Sequence, residues 1–305
     1  MRRLLSVGIA VILAGSAVRL CSASGPSEAK TTAHAEDRVD FELMTWVEVK
    51  DALAHGKTTA LIYNGGTEQR GPQAVNGGHT LVAHAKVVAI ARALGNAIAA
   101  PVLPFSPNRA SADLPGTIGL TAATFKEVNK EVAEELIRSG FKNVVLMGDH
   151  GGGQKELGQL ATELDAQYAP QGIRVVYCED AYKKSNDDYD AWIASKGLSP
   201  GGHASINDTS EMMYLEPEPN AWIRSDKLPE AVGAPRKRAP QAQEGTQASA
   251  PAAAPAATQS ASAPSTPSNG VMGDGRKSTA EIGKYGYDIH VSEAVAQIKQ
   301  LLGEK

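Results

Sequence analysis

Side chains that can bind a metal ion, or act on a substrate beside one, occur in three separate polar segments of this 305-residue chain. The first segment holds Glu68, Arg70 and His79, the second holds His150, and the third holds His203 and Asp208. Carboxylate oxygens and imidazole nitrogens in sets of three or four are the ligands of zinc and similar divalent ions. A bound ion of this kind polarises a carbonyl and activates water, so the residues point to metal-assisted hydrolysis.

Several of these residues also have a purely structural alternative. Glu68 could pair with Arg70, and His79 could have a capping or surface role at the start of a helix. Asp208 could be the N-cap of the next helix, because Asp-Thr-Ser-Glu is also a typical helix start. His203 is a candidate to contact a substrate or to carry a proton. No role is expected for the histidines in solvent-facing or tail contexts, which are His34, His55, His84 and His290.

Short apolar runs alternate with amphipathic helices and place these segments in a fold. Strands are predicted at residues 59–63, 97–103, 143–147 and 173–178. Helices are predicted at residues 80–94, 122–138, 153–168 and 282–302, and a further helix runs through residues 212–215. This alternation predicts an α/β fold in three layers, with a mainly parallel sheet and helices on both faces. The loops at the carboxyl ends of such strands meet at one edge. We therefore expect Glu68, His79, His150 and Asp208 to lie together there.

The composition of the chain changes along its length and predicts one folded domain in an exported protein. Residues 1–23 are typical of a signal peptide, because Arg2 and Arg3 precede an apolar run that is too short to span a bilayer in the mature chain. Cleavage is expected near Ala23, with a second small-x-small pattern ending at Ala35. The predicted organisation is a flexible segment at 24–39, one domain from 40–233 plus 270–303, and a disordered Ala/Pro/Ser-rich insertion at 234–269. The mature protein is expected to be periplasmic or secreted, with no transmembrane span.

Charge and cysteine content narrow the classes of partner. The net charge is -4, and it becomes about -7 once the signal peptide is removed, so nucleic acid is not an expected partner. Without that segment Cys178 is the only cysteine, which excludes an intramolecular disulfide. A hydrophobic fraction of 42% is enough for a full core. The expected partner is a small-molecule substrate.

Five ordered segments of the chain resemble motifs of the creatininase (creatinine amidohydrolase) family. Residues 65–79 are similar to the family pattern that begins Gly-Ser-x-Glu-Gln-His-Gly-Pro, and residues 114–118 to Phe-Pro-Gly-Thr-Ile. Residues 148–153 are similar to Asn-Gly-His-Gly-Gly-Asn, residues 203–210 to His-Ala-Gly-Glu-x-Glu-Thr-Ser, and residues 270–274 to Gly-Asp-Pro. The resemblance implies the creatininase-like three-layer fold and a metal-dependent hydrolase acting on a non-peptide C–N bond, an amide or a cyclic amide. It also implies a homo-oligomer.

The departures from the family pattern fall on its metal ligands. The family holds two ions with a Glu-x-His pair and a bridging Asp, whereas this chain has Arg70 at the His position and His79 at the bridging position. A guanidinium cannot bind a cation, and a neutral imidazole has one lone pair and cannot bridge two ions. We therefore expect one ion, zinc or alternatively manganese or iron, with Glu68, His79 and His150 as ligands. Asp208 is expected either to reach the ion or to act as the base on its water.

Two functions are compatible with these departures. In the first, the chain is a hydrolase in which Arg70 stabilises an oxyanion or binds a substrate carboxylate, with Asp208 and His203 as further catalytic candidates. In the second, the chain is a catalytically inactive relative that binds a small molecule or a partner. The number of tightly bound metal ions distinguishes the two.

Overall fold

The α/β fold expected from the sequence is present in a computed structural model that describes residues 38–108, 111, 113–234 and 268–303. The expected signal peptide at 1–23 lies outside the described residues, as do most of the expected flexible segment at 24–39 and of the expected insertion at 234–269. Ala234 and Met272 form an isolated bridge, so the two flanks of that insertion lie side by side.

Four strands of the described residues form one parallel sheet in the order β2-β1-β3-β4. Their bounds are β1, Thr59–Asn64; β2, Ala97–Ala99; β3, Asn143–Gly148; and β4, Arg174–Tyr177. The chain leaves β1 for β2 on one side and reaches β3 on the other, so the strand order reverses between β1 and β3. In such sheets ligands bind outside the carboxyl ends of the strands at this point.

The described residues form seven α-helices. Their bounds are α1, Trp46–Ala54; α2, Gly78–Leu94; α3, Ala122–Arg138; α4, Gln154–Tyr168; α5, Lys183–Ser195; α6, Ile206–Leu215; and α7, Ala280–Leu302. Helices α1 and α5 were not predicted from the sequence, and the predicted strand β2 ended four residues later than the observed one. Pro101 has no backbone N–H for a sheet ladder, which accounts for the early end of β2.

Both faces of the sheet are apolar and covered. Leu61, Tyr63 and Met147 point to one face, where they pack in a cluster with residues of α2 and α7. Ile62 and Leu146 point to the other face, in a cluster with residues of α3 and α4. This alternation is the period of two expected for a strand, and burial on both faces is typical of parallel sheets. The three-layer prediction is confirmed.

Two further observations bear on the function classes. Among the described helices, none is both long enough and apolar enough to cross a membrane. Cys178 is a free and fully buried thiol after β4, and burial raises its pKa to about 12. A thiol in that environment is not a nucleophile at neutral pH.

Candidate metal centre

Glu68 lies in the loop that follows β1, at the point where the strand order reverses. The loop is pressed against the start of α2, because a Cβ on Gly65 would lie 2.6 Å from the Thr80 Cα. It turns at Gly71, whose φ is +69°, and the Glu68 N–H donates to the Asn76 carbonyl at 2.9 Å. These constraints turn the Glu68 side chain inward, and the residue is only 2% exposed.

Three imidazoles from different parts of the chain face the Glu68 carboxylate. Its Oε1 lies 3.0 Å from His79 Nε2 and 3.2 Å from His203 Nδ1. Its Oε2 lies 3.3 Å from His150 Nε2 and accepts a hydrogen bond from Ser111 Oγ at 2.6 Å. The structure therefore brings together Glu68, His79 and His150 as expected, and it adds His203 to this group.

The Glu68 carboxylate is held in its ionised form. Burial by itself raises the pKa of a carboxyl, but hydrogen bonds from His150, His203 and His79 outweigh it and hold the Glu68 pKa well below its usual range. One ligand atom each from Glu68, His79 and His150 lies within 4.8 Å of the other two. Metal bonds of about 2.1 Å place tetrahedral ligand atoms about 3.4 Å apart, so a modest inward movement closes this set around one ion.

Asp149 orients His79 from behind. The Asp149 Oδ2 lies 2.7 Å from His79 Nδ1, and a carboxylate can only accept, so Nδ1 carries the hydrogen and Nε2 faces Glu68. Burial and the Arg70 charge lower the pKa of His79, but the hydrogen bonds to Asp149 and Glu68 raise it to about 9. A carboxylate behind a ligating histidine is the usual support of a metal site. No role for Asp149 was predicted from the sequence, although its position next to His150 was a usable signal.

A buried chain of charges continues from Asp149 away from Glu68. Lys86 of α2 is 1% exposed, and its Nζ donates to Asp149 Oδ1 at 2.8 Å and to Glu211 Oε2 at 3.0 Å. Burial lowers the pKa of a lysine, but the two carboxylates raise the Lys86 pKa above its usual value. Glu211 Oε1 in turn lies 2.9 Å from His290 Nδ1 on α7. Local sequence patterns do not reveal this row of charged residues, because its members come from four separate parts of the fold.

The histidines expected to have no role differ in their environments. His290 is 5% exposed, so its expected tail or solvent-facing position is wrong. The reason is the close packing of α7 on α6, where a Cβ on Gly283 would lie 1.8 Å from the Ser210 carbonyl oxygen. His84 is exposed and lies 2.9 Å from Asp40. His34 lies outside the described residues.

Arg70 and Asp208 form an ion pair beside the cluster. The Arg70 Nη2 donates to Asp208 Oδ2 at 2.7 Å, and its Nη1 lies 3.7 Å from Glu68 Oε1. Asp208 lies in the first turn of α6, whose N-cap is Ser205, and it accepts from the Ala204 N–H at 2.8 Å. The structure does not bring Asp208 into the group of Glu68, His79 and His150. Its short side chain is held instead by a charge-assisted hydrogen bond.

The charges of the buried cluster match one divalent cation. Its carboxylates are Glu68, Asp149, Asp208 and Glu211, and the pKa of each lies below its usual value, mainly because nearby cations and hydrogen bonds outweigh burial. Arg70 and Lys86 are its fixed cations. Four carboxylates and two cations leave two negative charges when the imidazoles are neutral. Because uncompensated buried charge is costly, this donor set fits one divalent ion better than none or two.

Residues 42–298 match a known family model, which is described as creatininase, creatinine amidohydrolase. The chain belongs to the creatininase family. The five motifs in its sequence are therefore those of a true, divergent member. No curated protein sequence matches the chain significantly.

Solved creatininase structures share the fold. A crystal structure of creatinine amidohydrolase (creatininase) has 21% identity and a TM-score of 0.65, over 86% of this chain and 97% of its own. A structure of creatininase with Mn has 19% identity and a TM-score of 0.63, over 86% and 98%. A putative creatinine amidohydrolase from Bacteroides fragilis NCTC 9343 has 18% identity and a TM-score of 0.59, over 88% and 98%. At these identities the likeness establishes the creatininase fold.

Proposed function

We propose that this member of the creatininase family is an exported metal-dependent hydrolase that opens a non-peptide C–N bond, an amide or a cyclic amide. The observation that carries the proposal is the buried Glu68 carboxylate, which faces three imidazoles from different parts of the chain. Family membership supports the reaction class. One creatininase variant of the same fold is complexed with creatine, which supports a small-molecule substrate.

One divalent ion would complete the site, and zinc is our first choice, with manganese or iron as alternatives. Glu68, His79 and His150 are the ligands expected from the sequence. When bound, the ion polarises a carbonyl and lowers the pKa of a coordinated water to about 7. Neighbouring creatininase structures with Zn or Mn support these choices of metal.

The residues around the ligands have distinct proposed roles. His203 and Asp208 have side chains that are 19% and 24% exposed, so they form the edge that a substrate reaches. We assign Asp208 as a base on the attacking water and His203 as a contact for the substrate or its proton. Arg70 Nη1 faces Glu68 and has no hydrogen-bond partner among the described residues, which leaves a donor for a developing oxyanion.

Elemental analysis together with a hydrolysis screen tests this proposal. The purified protein is expected to hold about one divalent ion per chain and to hydrolyse some member of a panel of linear and cyclic amides. The rival function is binding without catalysis, and it is favoured by the Arg70–Asp208 pair, which occupies groups that a second ion would need. Bound metal with no hydrolysis across the panel would support that rival.

Export is a further part of the proposal and rests on the first 23 residues. Mass spectrometry of the mature protein from the producing cell would show the new N-terminus near residue 24 or residue 36. A chain that retains Met1 in the cytoplasm would contradict export.

A further inference from the structure

We propose that Lys86 is a positioning residue of the metal centre, which acts through Asp149 to fix the ring of His79 in the orientation of a metal ligand. The inference rests on the proposed metal site of Glu68, His79 and His150, and it gives the buried lysine a role beyond the balance of charge. It follows from the way in which one helix contacts both oxygens of one carboxylate.

Helix α2 contacts Asp149 at two points. His79 lies in the first turn of α2, and Lys86 lies seven residues later, about two turns along the same face of the helix. Helical side chains lean toward the N-terminus, so the long Lys86 side chain reaches back to the carboxylate that His79 contacts. Lys86 Nζ donates to Asp149 Oδ1 at 2.8 Å, and His79 Nδ1 lies 2.7 Å from Asp149 Oδ2. Two residues of one helix therefore hold the two carboxylate oxygens.

The backbone of Asp149 is fixed independently, whereas its carboxylate depends on these two contacts. The Asp149 N–H donates to the Asn64 carbonyl at 2.8 Å, directly after β3. The Asp149 side chain is 7% exposed, and its hydrogen-bond partners among the described residues are His79 and Lys86. The χ2 torsion of an aspartate is broad, so one hydrogen bond alone leaves the plane of the carboxylate loosely defined. Lys86 supplies the second contact, and it thereby fixes the direction from which Asp149 meets the imidazole of His79.

Lys86 is itself held from the side away from the metal centre. Its Nζ donates to Glu211 Oε2 of α6 at 3.0 Å, and Glu211 Oε1 lies 2.9 Å from His290 Nδ1 of α7. The hydroxyl of Tyr287 on α7 donates at 3.2 Å to the carbonyl of Ala85, the residue before Lys86. The packing of α6 and α7 on α2 therefore sets the point at which the ammonium group meets the carboxylate.

The proposed role of Lys86 differs in sign from the effect of its charge alone. A buried ammonium group repels a nearby divalent ion, so removal of that charge by itself strengthens metal binding. Loss of positioning weakens metal binding, because removal of a group that supports a ligand typically costs about 10–100-fold in affinity. A charge-balanced change, in which a carboxylate is removed together with Lys86, separates the two effects.

The zinc affinity of the variant Lys86→Met with Glu211→Gln tests the proposal. One cation and one carboxylate are removed together, so the net charge of the buried cluster is unchanged. Measured against a competing chelator, the zinc affinity is expected to fall by about 10-fold or more. The matched control is Lys130→Met with Glu134→Gln, which removes a partly exposed ion pair of α3 and should leave zinc affinity unchanged. Wild-type affinity in a Lys86 variant that thermal unfolding shows to be folded would overturn the proposal.

The same pair of changes in an Asp149→Asn background shows whether Lys86 acts through Asp149. In that background the contact is already altered, so Lys86→Met with Glu211→Gln should lower zinc affinity by less than about threefold further. A merely structural role would give the same loss in both backgrounds. Equal losses would therefore refute the positioning role.

Nuclear magnetic resonance of the unmodified chain gives a measurement that does not depend on how well the variants fold. With 15N at lysine, zinc binding is expected to shift the Nζ signal of Lys86, because Asp149 links this group to His79. The Nζ signal of Lys130 should stay in place. A Lys86 signal that does not respond to bound zinc would overturn the proposal.

The outcome separates this inference from the proposed function. The expected zinc affinities in a protein that hydrolyses no amide would leave the role of Lys86 standing and refute the hydrolase. A wild-type protein that does not bind zinc would overturn both.

Discussion

Restoring the two family residues, as His79→Asp together with Arg70→His, is expected to raise the bound metal from one to two ions per chain. The wild-type cluster has four carboxylates and two fixed cations, which leaves two negative charges for one divalent ion. The double substitution adds one carboxylate and removes one cation. Four negative charges then match two divalent ions, and an aspartate can bridge them as an imidazole cannot.

Each single substitution leaves three negative charges, which no whole number of divalent ions neutralises. With His79→Asp alone, the new carboxylate competes with Asp208 for the guanidinium of Arg70. With Arg70→His alone, the site gains a ligand but no bridge. Both singles are therefore expected to bind less than two ions.

The expected effect on stability follows from the binding free energy of the second ion. At a free zinc concentration of about 100 times its Kd, each bound ion stabilises the folded state by about 2.7 kcal/mol. A domain of this size gains about 2–4 °C in Tm per kcal/mol, so the second ion adds about 5–10 °C. The matched surface control is His55→Asp with Arg138→His, because both side chains are more than 70% exposed.

Mass spectrometry after desalting measures the number of bound ions, and thermal unfolding with and without zinc measures the change in Tm. Both are carried out on the wild type, the two single variants, the double variant and the surface control. Two ions in the wild type would refute the reasoning about lone pairs and charge. A folded double variant that still binds one ion would do the same.

Four further predictions follow from the described contacts. Asp149→Asn is expected to weaken zinc binding by about 10–100-fold through the loss of support for His79, measured with a competing chelator, and an unchanged affinity would contradict that role. Because the metal-free pKa of His79 is about 9, zinc binding near neutral pH should release about one proton, and zinc affinity should rise until the pH reaches about 9. Calorimetry in buffers of different ionisation enthalpy measures the number of protons released. Release of no proton would argue against His79 as a ligand. Lys86→Met is expected to cost about 3–5 kcal/mol in urea unfolding because it leaves buried carboxylates unpaired. Lys130→Met, at a side chain that is 37% exposed, is expected to cost far less, and similar losses in both would mean that the Lys86 pairing is not stabilising. Deleting residues 239–267 should change the Tm by less than about 5 °C because the flanks already pair with each other, and a larger fall would show that the segment packs on the domain.

The sequence was enough to predict the layered fold because the sheet is buried on both faces. The apolar runs inside β1, Thr59–Asn64, and β3, Asn143–Gly148, are visible without any structure. Helix α5 has few apolar residues and buries only Ser185, Tyr189 and Ile193, so periodicity did not reveal it. Helix α1 was missed although Thr45 and Glu48 form a capping box at its start.

The candidate ligands could be predicted from loop position, but their supporting charges could not. The carboxyl ends of β1 and β3 meet wherever the sheet is parallel, which is enough to bring Glu68 and His150 together. Lys86 meets Asp149 and Glu211 at separations of 63 and 125 residues along the chain. Those contacts depend on how α2, α6 and α7 are rotated against one another, and no local pattern records that rotation.

The metal content of the purified wild-type protein tests the central claim most directly. After exhaustive desalting, we predict one divalent ion per chain, and chelation should lower the Tm, with recovery on adding one equivalent of zinc. A protein that holds no ion, and whose unfolding is insensitive to zinc and manganese, would contradict the claim that Glu68 and its imidazoles form a metal centre.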